Sequence, residues 1–240
     1  MEDKQVYSVL SKIYPYLMKQ VNYKSWAKYI SAIYELYNNG RSRVMEVASG
    51  NSKIHKYFKD DFEFYLFSDR SLEMLKTIEA EDKKAVCFDM RAIPLKGEFD
   101  FIFSIFDSVN YLMEVEDLRK FFNECRRLLS PEGILTFDVT LVNNSLRNLK
   151  LLNRKGKYKG IKFEQISRFD PVKQIHQNVF EIIADGEVYR EVHKQRIYDF
   201  ETYFEVLEDC GYAVSACFDC FTFDDADDES ERVQFVVRTL

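Results

Sequence analysis

No stretch of this sequence approaches the ~18 uninterrupted apolar residues that a membrane-crossing helix requires, so no span is expected. The N-terminus reads Met1-Glu2-Asp3-Lys4 with no apolar h-region behind it, and no secretory signal is expected either. Basic residues are in deficit. Lys and Arg number 34 against 40 Asp and Glu, a net charge of −6, which weighs against a nucleic-acid surface unless a basic patch is local. Histidine is scarce: His55, His176 and His193 are the only three, none paired at metal-ligand spacing. The 5 cysteines are odd in number and irregular in spacing, as expected of reduced thiols in a cytoplasmic protein. Cys217 and Cys220 have the CxxC spacing, but zinc needs two more ligands, so both are read as packed in a terminal strand. The acidic run from Asp219 to Glu231 lacks the central glycine of a calcium loop and reads as a solvated loop. No metal site is expected.

What is present is an alternation of strands and helices within 240 residues, the length of one large domain or of one domain carrying an insertion. Trp26, Ile30, Ile33 and Tyr37 form an amphipathic stripe, and residues 1–39 read as helical, closed by Asn39-Gly40 with Gly40 as C-cap. Arg43–Val47, Phe62–Phe67, Ala85–Phe88, Phe99–Ile105 and Ile134–Val139 read as five strands. Helices are expected to begin at Ile54–Phe58, along Leu72, Leu75 and Ile78, and along the stripe from Leu118 to Leu129. Ser130-Pro131-Glu132-Gly133 reads as a turn. Such alternation predicts an α/β fold, a parallel sheet covered by helices on both faces. The rhythm changes after residue 140. Residues 141–158 are basic and read as helical or irregular, and three extended segments follow between Gly160 and Tyr198. Asp185-Gly186 is a two-residue hairpin signal, so this region reads as an inserted antiparallel sheet. Asp199 is expected to N-cap a helix closed by Gly211, and two last strands follow. The divisions are therefore 1–40, 41–140, 141–198 and 199–240.

The first strand ends Glu46-Val47 and runs into the small residues Ala48-Ser49-Gly50-Asn51-Ser52. Nineteen positions after Gly50, Asp69 ends the second strand. A small-residue turn lets a ligand approach the backbone closely, and a carboxylate ending the next strand can accept from both hydroxyls of a ribose. The first half is thus expected to bind an adenosine-containing molecule. The G-x-G-x-x-G of dinucleotide sites is missing; Ala48, Gly50 and Ser52 are spaced by two and two instead.

That spacing, with Glu46 before it, resembles motif I of the class I S-adenosylmethionine (SAM) methyltransferases. Asp69-Arg70-Ser71-Leu72-Glu73-Met74-Leu75 resembles their second motif, and Cys87-Phe88-Asp89-Met90 their third. Leu128 to Leu135 is similar to their approach to strand five, and Gly211-Tyr212 to their turn into strand six. Tyr23-Lys24-Ser25-Trp26, with Phe106 to Leu112, resembles a branch containing sugar-amine N-methyltransferases and small bacterial methyltransferases of unassigned substrate. The resemblance spans essentially the whole chain. It implies a Rossmann-like, seven-stranded, mostly parallel sheet with a helical lid at residues 1–40, a SAM-binding core at 41–140 and an antiparallel acceptor lid at 141–198. It also implies site roles. Glu46 would face the methionine ammonium, the backbone of Ala48, Ser49 and Gly50 would line the methionine end, and Asp69 would hold the ribose. Arg70 and Met74 would cover the adenine or ribose face. Asp89 and the Met90 amide would meet the adenine edge, Ile105 and Phe106 would border the cofactor, and Tyr14 and Tyr23 would close over it. Ala48 stands where the family has its first glycine and costs little if its φ is negative; Ser52 stands for the third and could cap the following helix.

Methyl transfer from a sulfonium needs alignment above all, which can supply about 7–11 kcal/mol. If a base assists, Asp107 is the first candidate, with His193 and Tyr14 behind it. His193 shares one strand face with Tyr189, Glu191 and Gln195. No Asn/Asp-Pro-Pro-Tyr follows strand four, so the expected partner is a small-molecule acceptor with an N or O nucleophile, not a nucleic acid or a membrane. A monomer or homodimer is expected. Two alternatives stay open: an inactive binding or regulatory protein on the same frame, and an NAD-dependent oxidoreductase.

Overall fold

The computed structural model describes residues 2–3, 6–37, 43–58, 62–80 and 83–240. Gly40, expected to cap the first long helix, lies outside the described residues. The N-terminal segment is not one helix. Strand β1 (Glu2–Asp3), a 3-10 turn at Leu10–Lys12, a single turn α1 (Tyr14–Leu17) and α2 (Tyr23–Tyr37) succeed one another. The break before α2 has a local cause: the Asn22 side chain accepts from the Ser25 amide at 3.1 Å, a helix N-cap.

The core strands are β2 (Arg43–Glu46), β3 (Phe64–Asp69), β4 (Lys84–Cys87), β5 (Phe99–Ser104) and β6 (Leu129–Thr140). With β11 (Tyr212–Asp219) and β12 (Arg232–Thr239) they form one seven-stranded sheet in the order β11-β12-β6-β5-β2-β3-β4. The ladders among β2 to β6 are parallel, and β12 runs antiparallel to both its neighbours. Strand β5 is buried along its length, as the centre of a parallel sheet demands. The expected turn at Ser130–Gly133 lies within β6 as an irregularity between the pairs Phe99–Leu129 and Phe101–Ile134. Gly133 is required there, because a Cβ would lie 2.9 Å from the Phe99 carbonyl oxygen.

Helices cover both faces. On one, α4 (Val115–Leu128) buries Leu118, Phe121, Phe122, Cys125 and Leu128, and α6 (Phe200–Asp209) adds Tyr203, Val206 and Leu207 to the same cluster. Each such apolar side chain contributes roughly 1.5–3 kcal/mol on burial. On the other face α2 packs Trp26, Ile30 and Ile33 against Val44, Phe101 and Phe103. So α2 covers the sheet, and only the segment before it overhangs the strand ends. The helix expected at Ile54–Phe58 is a single 3-10 turn, His55–Tyr57, ended by an extended Phe58. The next, α3 (Leu72–Leu75), is also one turn, capped by the Ser71 hydroxyl.

Residues 142–196 form α5 (Val142–Leu151) and then β7 (Arg154–Tyr158), β8 (Ile161–Asp170), β9 (Ile175–Ala184) and β10 (Glu187–Arg196). These four strands pair antiparallel, and β1 joins the free edge of β10 in parallel. Asp185 and Gly186 both have positive φ, the turn that a two-residue hairpin requires. Asp199 precedes α6 but makes no capping bond; its carboxylate accepts from the Gln174 side chain at 2.6 Å. The inner face of this sheet packs Phe163, Phe180 and Ile182 on Val9, Leu10, Ile13 and Leu17. Among the described residues no helix is long and apolar enough to cross a membrane.

The loop after β2 departs from expectation. Ala48, Gly50 and Ser52 all lie at positive φ, +54°, +56° and +41°. Ala48 therefore does not take the negative φ that would cost nothing. A left-handed non-glycine residue costs about 1–3 kcal/mol. Ala48→Gly is expected to stabilise the protein by on the order of 1 kcal/mol after the unfolded-state entropy of glycine is deducted, which corresponds to about 2–4 °C in Tm for a chain of this size. A thermal melt that is lowered would show that the loop does not carry this strain.

Candidate cofactor and acceptor site

Strand order reverses between β2 and β5, and ligands of open α/β sheets bind beyond the strand ends at such a point. A cavity of about 320 Å³ lies there, bordered by the loops after β2, β3, β4 and β5. Its floor is the left-handed loop. Gly50 suits its place, since its φ is positive and a Cβ would stand 3.2 Å from the tip of the Met74 side chain. Asp69 straddles the loops: its carboxylate accepts from the Gly50 amide at 2.8 Å and from the Ser71 amide at 2.7 Å. Burial lifts its carboxyl above the ordinary range while the amides of Ser71, Gly50 and Arg70 pull it back. Each oxygen can still accept a further donor from the cavity.

Glu46 lies at the end of β2 and is 1 % exposed. Its carboxyl group accepts from the Ser52 hydroxyl and, at 2.8 Å, from Tyr65. Burial pushes its pKa up to about 8, against the pull of those two hydroxyls. Ser52 thus serves the carboxyl group rather than capping a helix. Asp89 differs. Arg91 grips it through Nε at 3.0 Å and Nη2 at 2.7 Å, and this bidentate pair holds its carboxyl below the usual range. Arg91 also reaches Asp117 at 3.1 Å, and Arg70 lies 3.7 Å from Asp89.

Tyr14, Tyr23, Met90 and Phe106 border the cavity as expected, with Ala48, Ser49, Arg70 and Met74. Phe106 sits at φ +63° against Trp26, ring centroids 4.8 Å apart. Ile105 does not border it; its side chain is buried in the α2 cluster. Asp107 also lies outside the cavity lining. Its carboxylate pairs with Arg232 at 3.2 Å and accepts from Gln195 at 2.8 Å, while its amide donates to Asp138 at 3.0 Å. Arg232 also binds Asp138. Asp107 is tied into a salt-bridged group outside the cavity lining, so it is not placed as a free base. His193 is likewise behind the lining, buried, with Tyr111 and Glu191 on its two nitrogens.

Tyr7 and Tyr111 border the cavity and were not singled out from sequence. Tyr7 is 104 residues from its partner Tyr111, and no local pattern marks either. Glu191 was signalled only by sharing a strand face with His193.

Two buried polar atoms at this cavity, the hydroxyls of Tyr23 and Ser49, have no hydrogen-bond partner among the described residues. Leaving each unpaired costs about 1–3 kcal/mol, which a polar ligand would recover. Together with a carboxyl group beside the loop, a bridging carboxylate and a floor of small residues, these atoms match a ligand bearing an ammonium and a ribose. Residues 45–137 match the family model described as a methyltransferase domain. YqeM of Bacillus subtilis (strain 168), a methyltransferase by name, is 29 % identical, with 96 % of each chain covered. The fold resembles that of a SAM-dependent methyltransferase from Clostridium acetobutylicum ATCC 824, with TM-score 0.78 and 21 % identity over 98 % of this chain and 99 % of that one. It also resembles SAM-bound CalS10 of Micromonospora echinaspora, an amino pentose methyltransferase, with TM-score 0.71 and 15 % identity over the whole of both chains. The residues at the strand ends fit S-adenosylmethionine as cofactor, and the matching domain, the related sequence and the shared fold together support a SAM-dependent methyltransferase of the class I fold.

Proposed function

We propose that this enzyme methylates a nitrogen or oxygen of a small molecule. The observation behind this reading is the roof of the cavity. Tyr7, Tyr14, Tyr23 and Tyr111 converge on it from three separate parts of the chain, beneath the inserted sheet. Such a roof suits a compact acceptor. The net charge of −6 agrees, and so does the likeness to an amino pentose methyltransferase.

SAM supplies an electrophilic methyl group on a sulfonium. The protein has to hold it, point it and exclude water. Glu46 would take the ammonium, and the hydroxyls of Tyr23 and Ser49 would find partners at the methionine end. Asp69, held by its amide bonds, would take the ribose hydroxyls. Asp89, clamped by Arg91, would offer a fixed acceptor to the adenine amino group, with Met90, Met74 and Arg70 around the base. Rigidity matters because each bond then costs no reorganisation on binding.

Calorimetric titration is expected to show micromolar SAM and S-adenosylhomocysteine and no NAD; binding of NAD alone would restore the oxidoreductase alternative, and binding of none an inactive frame. Asp69→Ala removes hydrogen bonds to a charged group, worth about 1.5–3 kcal/mol, so the Kd for SAM should rise tenfold or more with the fold retained. An unchanged Kd would take Asp69 out of the ribose site. The pH dependence follows from Glu46. Burial favours its neutral form in the free protein and pushes its pKa up to about 8. An approaching ammonium favours the carboxylate, so binding releases a proton below that pH. Affinity should therefore climb between pH 6 and 8 and level off above, and the apparent enthalpy should vary with the ionisation heat of the buffer. Glu46→Gln should abolish both effects; their persistence would assign the proton to another group.

A further inference from the structure

Behind the tyrosine roof runs a line of side chains that cofactor binding does not use. Glu191, 0 % exposed, accepts the amides of Tyr7 at 2.7 Å, Val9 at 2.6 Å and Leu10 at 2.9 Å, and the Ser8 hydroxyl at 3.3 Å. Its Oε2 also faces His193 Nε2 at 3.3 Å. His193 is 3 % exposed, and its Nδ1 lies 3.0 Å from the Tyr111 hydroxyl. That hydroxyl lies 2.9 Å from the Tyr7 hydroxyl, and both tyrosines border the cavity. The four groups form one continuous chain from the buried sheet to the acceptor space.

The chain has a direction. Burial pushes the Glu191 carboxyl up, but the bonds from His193, Leu10 and Val9 outweigh it and hold the carboxyl below its usual range. An ionised carboxylate only accepts, so His193 must carry its proton on Nε2. A neutral imidazole has one N–H, which leaves Nδ1 as an acceptor. Tyr111 must then donate to Nδ1, and its oxygen is left to accept from Tyr7. The Tyr7 oxygen keeps its own lone pairs for whatever enters the cavity. Burial, first among the causes, keeps the Tyr7 phenol well above its ordinary range, so Tyr7 stays protonated and can only pass a proton on. Tyr7 holds φ +64°, a strained position for tyrosine that the three amide bonds to Glu191 maintain.

We propose that Tyr7 accepts the proton of the nucleophile and that Tyr111, His193 and Glu191 carry it away from the cavity. The acceptor atom's lone pair forms the bond to the methyl carbon, and the carbon–sulfur electron pair returns to sulfur. The N–H or O–H proton moves to the Tyr7 oxygen as the Tyr7 proton moves to Tyr111. The Tyr111 proton moves to His193 Nδ1, and the imidazolium so formed rests against the Glu191 carboxylate. Charge and atoms balance without a further reactant. Tyr7 is the catalytic residue; the other three position it and take up its proton. The relay selects nucleophiles with a proton to give, a neutral amine or a hydroxyl. It deepens the methyltransferase reading and rests on it.

The test needs no acceptor. Protein labelled with ¹⁵N and saturated with S-adenosylhomocysteine would be examined by imidazole NMR, with His193→Gln assigning one of three histidines. His193 should be the neutral Nε2–H tautomer, and Tyr111→Phe should shift its Nδ1 resonance toward that of an unbonded nitrogen without changing the tautomer. A proton on Nδ1, or a spectrum that Tyr111→Phe does not move, overturns the relay. Failure of S-adenosylhomocysteine to bind in the same samples overturns the methyltransferase reading instead, and the tautomer is still legible. In transfer of labelled methyl from SAM to a pool of amino sugars and amino alcohols, Tyr7→Phe should lower the rate about a hundredfold with SAM affinity within twofold of wild type. Equal rates would remove Tyr7 from the proton path.

Discussion

The buried side chain of Asn110 holds the site together. Its amide nitrogen shares two protons among the Arg196 carbonyl at 2.8 Å, the Thr140 carbonyl at 3.2 Å and the Tyr203 hydroxyl at 3.3 Å, and its oxygen accepts from the Thr140 amide. Those partners belong to the end of β6, the end of β10 and the middle of α6. One short amide therefore joins the core sheet to the place where the inserted sheet returns. It sits in the turn that presents Tyr111, so the roof of the cavity is set by the same bonds that fix the insertion on the core. A fully paired buried polar group is specific in this way, because any other arrangement of the two strand ends and the helix would leave it without partners.

Three carboxylic acids around one loop show how position sets chemistry. Glu46 has hydroxyl donors but no cation, and burial makes it a weak acid. Asp69 has backbone amides in a nearly closed space. Asp89 has a guanidinium and remains firmly ionised. A cation arriving near Glu46 changes that group most, because it begins nearest to neutrality. The remaining two are preset and change little. The cofactor end is thus rigid, with a single adjustable charge.

The parts of the fold that follow from local patterns were legible. Buried parallel strands are apolar runs, and Asp185-Gly186 names its turn wherever it occurs. The helices after β2 and β3 were over-read, since the chain turns extended at Phe58 before a second turn can form. Glu46, Gly50 and Asp69, which border the cavity, could be read because Glu46 and Asp69 end their strands and Gly50 lies in the small-residue loop after the first. Asp107 could not be read, because what commits it is Arg232, 125 residues away. Tyr7, Tyr111 and Glu191 were hidden for the same reason: their contacts cross 104 and 184 positions, and only the shared face of Glu191 and His193 leaves a trace in the sequence.

The brevity of the turn at His55–Tyr57 has an electrostatic consequence. Dinucleotide sites set a full helix behind the glycine loop, and its amino end carries about half a positive charge, which draws a pyrophosphate. One 3-10 turn sums too few peptide dipoles to do that. Here the loop is bracketed by Asp69 and by Glu46, whose carboxyl an arriving cation ionises, so the strand ends favour a positive charge instead. A ligand whose charges there are an ammonium and a sulfonium enters downhill, while a doubly anionic phosphate bridge would have to climb. The cleft sorts adenosine compounds by the sign of what is attached to them, before any contact with the base is made.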